Sequence, residues 1–149
     1  MTDANANSIF IDTNILVYAN IKSSPMHNAA LSAIEKLYRA NKPIWISRQV
    51  IREYISILSR PQTFSQPLTA QTIARRIEFF QRKFNVADDN AEVTEELLKL
   101  MKGYKFGGKQ IHDANIVATM KAYDISSLLT CNVKDFNKFA DLIKIEALS

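Results

Sequence analysis

Cysteine occurs once in this 149-residue chain, at Cys131. A single cysteine closes no internal disulfide, and without further cysteines or clustered histidines it has no partners for a structural zinc site. It is expected as a small buried hydrophobe beside a strand. Glycine is nearly as scarce: all three fall between Gly103 and Gly108, which makes residues 103–110 the one loop expected to be markedly flexible. No apolar run approaches the ~20 residues needed to span a bilayer. Residues 1–7 are polar and lack the basic-then-apolar layout of a signal peptide. A flexible N-terminal tail and a cytoplasmic protein with no membrane partner are therefore expected. Internal repeats, low-complexity tracts and linkers are also missing, so residues 1–149 read as one domain.

What is present suits a compact protein. Hydrophobic residues make up 47% and charged residues 23%, far from the composition of disordered chains. A chain of this length buries roughly two thirds of its unfolded surface. The net charge of +4 and pI of about 9.2 suit an acidic or polyanionic partner.

Residues 8–11 read as a short apolar strand, Ile9-Phe10-Ile11, that ends abruptly in Asp12-Thr13-Asn14. A helix is predicted after it, capped by Ser24 with Pro25 in its first position, and with Met26, Ala29, Ala30, Ala33, Ile34 and Leu37 at helical spacing. Pro43-Ile44-Trp45-Ile46 reads as a second strand, and Ser47 opens a helix on which Val50, Ile51, Tyr54, Ile55 and Leu58 are apolar. Two prolines break the pattern between Arg60 and Pro67. Thr69 caps the next helix, with Ile73, Ile77, Phe80 and Phe84 on one face and Arg75, Arg76, Arg82 and Lys83 on another. A further helix starts at Asp88-Asp89-Asn90, its acids early and its lysines late, as the helix dipole favours. Residues 111–123 form a helix that is apolar nearly all round, 127–130 a third strand, 132–140 a short helix and 142–145 a last edge strand. Alternating strands and helices imply right-handed βαβ units: a three-layer α/β/α fold around a mostly parallel sheet.

Burying a carboxylate is costly unless it is paired or metal-bound, so acids on apolar elements are informative. Asp12 closes an apolar strand, Glu53 interrupts an apolar helix, and Asp113 lies in the first turn of a helix with few polar positions. Each also has a structural reading: Asp12 as a helix cap, Asp113 as a partner for its helix's first amides, Glu53 as a solvated gap in an apolar face. Taken together, strand-end and helix-start acids gather at one end of a parallel sheet, and no arginine is evidently dedicated to them. Oxygen-only ligands point to a hard ion, Mg²⁺ or Mn²⁺, and such a site in a basic protein suits phosphodiester hydrolysis.

Three blocks make the pattern specific. Ile9-Phe10-Ile11-Asp12-Thr13-Asn14-Ile15-Leu16-Val17-Tyr18 resembles the opening signature of PIN domains. His112-Asp113-Ala114-Asn115-Ile116-Val117-Ala118 with Leu129-Thr130-Cys131-Asn132-Val133-Lys134-Asp135-Phe136 resembles the closing pair, and Val50-Ile51-Arg52-Glu53 fills the middle. The resemblance, to stand-alone ribonuclease toxins of the VapC type in particular, implies a Mg²⁺-dependent endoribonuclease with Asp12, Glu53 and Asp113 as its core acids. It also implies an antitoxin partner and a homodimer. The fourth family position falls on the neutral Asn132; Asp135 is the alternative, and it also reads as a cap of the short helix. Thr13, Asn14 and Thr130 are expected to orient the acids by hydrogen bonds, or simply to make turns.

Other features carry less. His112 reads as a surface or packing residue. Lys99, Lys102, Lys105 and Lys109, with Tyr104 and Phe106, fit single-stranded RNA, while charge runs on helices are usually solvated faces. Trp45 and the Phe79/Phe80/Phe84 group read as core or interface. A different class of function is a PIN-like module that holds RNA or protein without cutting, which the neutral Asn132 favours. A phosphatase of the haloacid dehalogenase type would need a second aspartate where this chain has Asn14.

Overall fold

A computed structural model describes residues 7–60 and 68–148. All but the last residue of the tail expected at residues 1–7, and all but the first of the two-proline break at residues 60–67, lie outside the described residues. Among the described residues five strands form one sheet: β1 (Ile9–Ile11), β2 (Ile44–Ser47), β3 (Asn85–Ala87), β4 (Ser127–Thr130) and β5 (Lys144–Ala147). Their order is β3-β2-β1-β4-β5, and every pairing is parallel. Helices α1 (Thr13–Ala19), α2 (His27–Arg39), α3 (Arg48–Leu58), α4 (Ala70–Lys83), α5 (Ala91–Gly103), α6 (Gln110–Ala122) and α7 (Val133–Phe136) cover the sheet in a three-layer α/β/α arrangement.

The central strand is the most apolar one. Ile9, Phe10 and Ile11 are all buried, as a parallel strand covered on both faces requires. The chain builds outwards from β1 through β2 to β3, then returns to lay β4 on the other side of β1 and β5 beyond it. The sheet's topological switch therefore lies between β1 and β4, and the crevice at the carboxyl ends of those two strands is where open α/β sheets bind ligands.

Local signals explain most helix starts. Ser47 Oγ accepts from Val50 N, Thr69 Oγ1 from Thr72 N, and Asn90 Oδ1 from Val93 N. The predicted start of α2 is displaced: the helix begins at His27, while Ser24 Oγ accepts from Met26 N and so closes a turn ahead of it. Helix α1 and the edge strand β3 are additions to the predicted elements, and the last strand begins two residues later than expected.

The scarcity of glycine shows at two helix ends. Asn41 (φ 55°) follows α2 and Asp124 (φ 56°) follows α6, both in the left-handed region. In each case the next residue reaches back to close a Schellman turn, Lys42 N to Leu37 O at 3.1 Å and Ile125 N to Met120 O at 2.8 Å. These turns aim the chain into β2 and β4. Asp124→Ala should lower stability by about 1 kcal/mol through left-handed strain, whereas Asp124→Gly should not. Urea unfolding of the two variants checks this; equal destabilisation would show that the strain is absent.

Candidate active site

Asp12 leaves β1 and caps α1. Its backbone is still extended (φ −66°, ψ 155°), and Oδ1 accepts from Thr13 N at 2.8 Å. The other oxygen, Oδ2, accepts from Thr130 Oγ1 at 2.7 Å and from Asn14 Nδ2 at 3.4 Å. Thr130 ends β4, so one carboxylate fastens together the tips of the two strands at the switch point. Asp12 is only 6% exposed. Burial pushes its carboxyl up to about 6; the donors Thr130 and Thr13 oppose that, and the charges of Glu53 and Asp135 add to it.

Asp113, half-buried in the first turn of α6, is likewise raised to about 6. Burial is the main cause, followed by the charges of Asp12, Asp135 and Glu53, against a small opposing effect of His112. Glu53 on α3 is half-buried, with Oε1 accepting from Thr13 Oγ1 at 2.6 Å and Oε2 accepting from Gln49 Nε2 at 3.1 Å. The fold thus brings Asp12, Glu53, Asp113 and Asp135 within reach of one another's fields although they span more than 120 residues of sequence. For the fourth position, Asp135 contributes charge to the cluster, and Asn132 contributes its backbone N–H, which donates to Thr130 Oγ1 at 2.9 Å.

Among the described residues no arginine or lysine pairs with these acids. Arg48 binds Asp88 and Gln81, and Arg52 pairs with Asp89, so the two arginines of α3 turn towards the start of α5. Among the described residues no ion pair involves Asp12, Glu53, Asp113 or Asp135. Neither do any three His, Cys, Asp or Glu side chains among them converge closely enough to hold one metal ion. An all-oxygen cluster offering its carboxylates singly or in pairs suits Mg²⁺, which keeps several waters and takes one or two carboxylates directly.

Thr13 and Thr130 each hold an acid, and Asn14 bridges Asp12 to the backbone N–H of Cys131 at 3.4 Å. Cys131 is half-buried rather than buried, and burial followed by the Asp12 charge raises its thiol. Tyr104 and Phe106, expected as stacking groups for RNA, pack against Phe139 at ring distances of 5.2 and 5.8 Å. The cations of α4 lie away from the acids: Arg75 and Arg76 border an apolar groove with Leu31, Phe79 and Phe80, and Lys83 sits over the rings of Tyr38 and Phe79. Within the aromatic groups, Phe80 is core, Phe79 is exposed, and Trp45 leans on Tyr123. The residue that sequence reasoning missed is Gln49, buried on α3 one turn before Glu53.

The chain matches a known family. The PIN domain matches residues 9–142, and the chain belongs to the PIN domain family. It is 28% identical over 131 residues to ribonuclease VapC24 of Mycobacterium tuberculosis, covering 87% of this chain and 89% of that one. Among solved structures it resembles VapBC2 from Rickettsia felis bound to a promoter DNA fragment, with a TM-score of 0.67 and 23% identity over 95% of this chain and 98% of that one. It also resembles Mycobacterium tuberculosis VapC20, a sarcin-ricin loop cleaving toxin, with a TM-score of 0.61 and 20% identity over 81% and 87%. Among the described residues no helix is long and apolar enough to cross a membrane.

The raised carboxyls have a consequence for stability. In the unfolded chain Asp12 and Asp113 take up protons near 3.8, in the folded chain near 6. Between those limits the folded state binds more protons, so its stability falls as pH rises from about 4 to about 6 and stays reduced above. Without divalent ions the melting temperature should therefore be higher at pH 5 than at pH 7.5. Asp12→Asn should raise the value at pH 7.5 by roughly 3 °C or more and flatten the pH dependence. A variant that melts lower at pH 7.5, with the same slope as wild type, would show that repulsion at Asp12 is not what limits stability.

Proposed function

We propose that this chain is a Mg²⁺-dependent endoribonuclease and the toxin of a toxin–antitoxin pair. The observation that carries the reading is the uncompensated charge: Asp12 and Asp113 are both raised to about 6, with Glu53 and Asp135 adding to the repulsion and no protein cation paired to any of them. Support also comes from the similarity to ribonuclease VapC24 and to a toxin–antitoxin complex from Klebsiella pneumoniae.

Asp12 and Asp113 would hold the ion, with Glu53 and Asp135 beside them. When bound, Mg²⁺ would lower the pKa of a water and offset charge developing on the phosphate. The chain's own contribution is orientation. Thr130 and the Thr13 amide fix Asp12, Thr13 Oγ1 fixes Glu53, and all of these donors are neutral, so the charge that attracts a cation is left intact. The exposed Lys105 and Lys109, just before α6, would guide the RNA backbone towards Asp113. An antitoxin would inhibit by placing an arginine among the acids, so inhibition should compete with Mg²⁺. The second reading, a module that holds RNA without cutting it, is favoured by the neutral Asn132.

RNA cleavage that requires Mg²⁺ or Mn²⁺ and is abolished by chelation separates the two readings. Asp12→Asn and Asp113→Asn should each reduce cleavage by on the order of 100-fold or more, and Glu53→Gln should weaken Mn²⁺ binding in calorimetry. Because proton and metal compete for carboxyls that titrate near 6, activity should fall below about pH 6, and higher Mg²⁺ should move that limb to lower pH. Expression of the wild-type chain alone should arrest growth, co-expression of the antitoxin should restore it, and Asp12→Asn should be harmless. Cleavage that is indifferent to chelators, or arrest by both proteins, would overturn the proposal. Light scattering of the purified protein tests the expected homodimer.

A further inference from the structure

Gln49 is only 6% exposed, and every polar atom of its side chain is engaged. The amide nitrogen donates to Glu53 Oε2 at 3.1 Å and to His112 O at 2.8 Å, while Oε1 accepts from Asn115 Nδ2 at 2.8 Å. Those partners fix which end of the amide is which. Exchanging O and N would set the carbonyl oxygen against a carboxylate and a backbone carbonyl, and an NH₂ against an NH₂. The two contacts on α6, His112 and Asn115, flank Asp113. A single side chain on α3 therefore reaches one acid directly and grips the helix turn that carries another.

Glu53 and Asp113 repel each other, and nothing else among the hydrogen bonds described above ties their helices together at this level. An arginine or lysine at position 49 would hold them by neutralising them and would compete with a cation. A glutamine holds them and leaves their charge unchanged. We propose that Gln49 is a positioning residue of the acid site: it sets the separation of Glu53 and Asp113 and thereby the affinity for the divalent cation. This inference rests on the reading of the acids as a metal site.

The test uses Gln49→Met, which keeps the length and volume of the side chain and removes its polar ends, and Asn115→Ala, which removes Gln49's partner on α6. Mn²⁺ affinity measured by calorimetry without RNA should fall about 10–100-fold in Gln49→Met, and less but in the same direction in Asn115→Ala. Turnover should fall in parallel, with KM for RNA within about twofold of wild type. In a Glu53→Gln background Gln49→Met should cost clearly less than it does in wild type, because part of its effect passes through Glu53. Unchanged Mn²⁺ affinity in a folded Gln49→Met protein, or a loss that simply adds to that of Glu53→Gln, would overturn the inference while leaving the nuclease reading in place. Wild type that binds Mn²⁺ and loses that affinity in Gln49→Met, yet cuts no RNA, would support the inference and overturn the nuclease reading.

Discussion

Removing the Asp12 carboxylate from water while three other acids stand nearby is the constraint to which the surrounding structure answers. Left alone, such a group would protonate or pull the fold apart. The chain supplies donors rather than cations: a backbone amide at the start of α1, the Thr130 hydroxyl and the Asn14 amide. These lower the energy of the ionised form without cancelling its charge, and the residual penalty appears as a carboxyl held near 6. Arginines are available one and five residues from Glu53, and the fold spends both on Asp88 and Asp89, away from the crevice.

The sheet topology places this arrangement where it is. Only at the switch between β1 and β4 do two adjacent strands send their chains to opposite sides, opening a crevice at their carboxyl ends. Asp12 and Thr130 come from the two lips of that crevice and bond across it. Helix α6 delivers Asp113 and α3 delivers Glu53 from further out, with Gln49 spanning the distance between those helices.

What could be read beforehand follows from how local each signal is. Ile9-Phe10-Ile11 followed by an acid is legible because a buried parallel strand and its polar end lie in consecutive residues, and the caps Ser47, Thr69 and Asn90 are legible for the same reason. The reading of Asp12 as a helix cap is local and holds, since one oxygen caps α1; the other joins β4, a contact across 118 residues that no local pattern encodes. Strand β3 escaped because Asn85-Val86-Ala87 is too short for alternation to show, and the start of α2 because Ser24 closes a turn with the same chemistry that would cap a helix. Composition reports the ring type of Tyr104 and Phe106, whereas their packing against Phe139, more than 30 residues on, emerges only from the fold. Gln49 was invisible as a lone polar residue. Only its position one turn before Glu53, on a stripe otherwise apolar, marks it, and its partners on α6 emerge only from the fold.

The bond between Thr130 and Asp12 also orders events in time. β1 is made first, but its neighbour β4 follows more than 100 residues later, and α6 comes just before it. A nascent chain therefore carries Asp12 and Glu53 long before the residues that complete the crevice exist, and pairing β4 with β1 must await closure of a loop of more than 100 residues. The crossover that makes the sheet slow to close also delays assembly of the acid cluster until β4 has been made and has paired with β1.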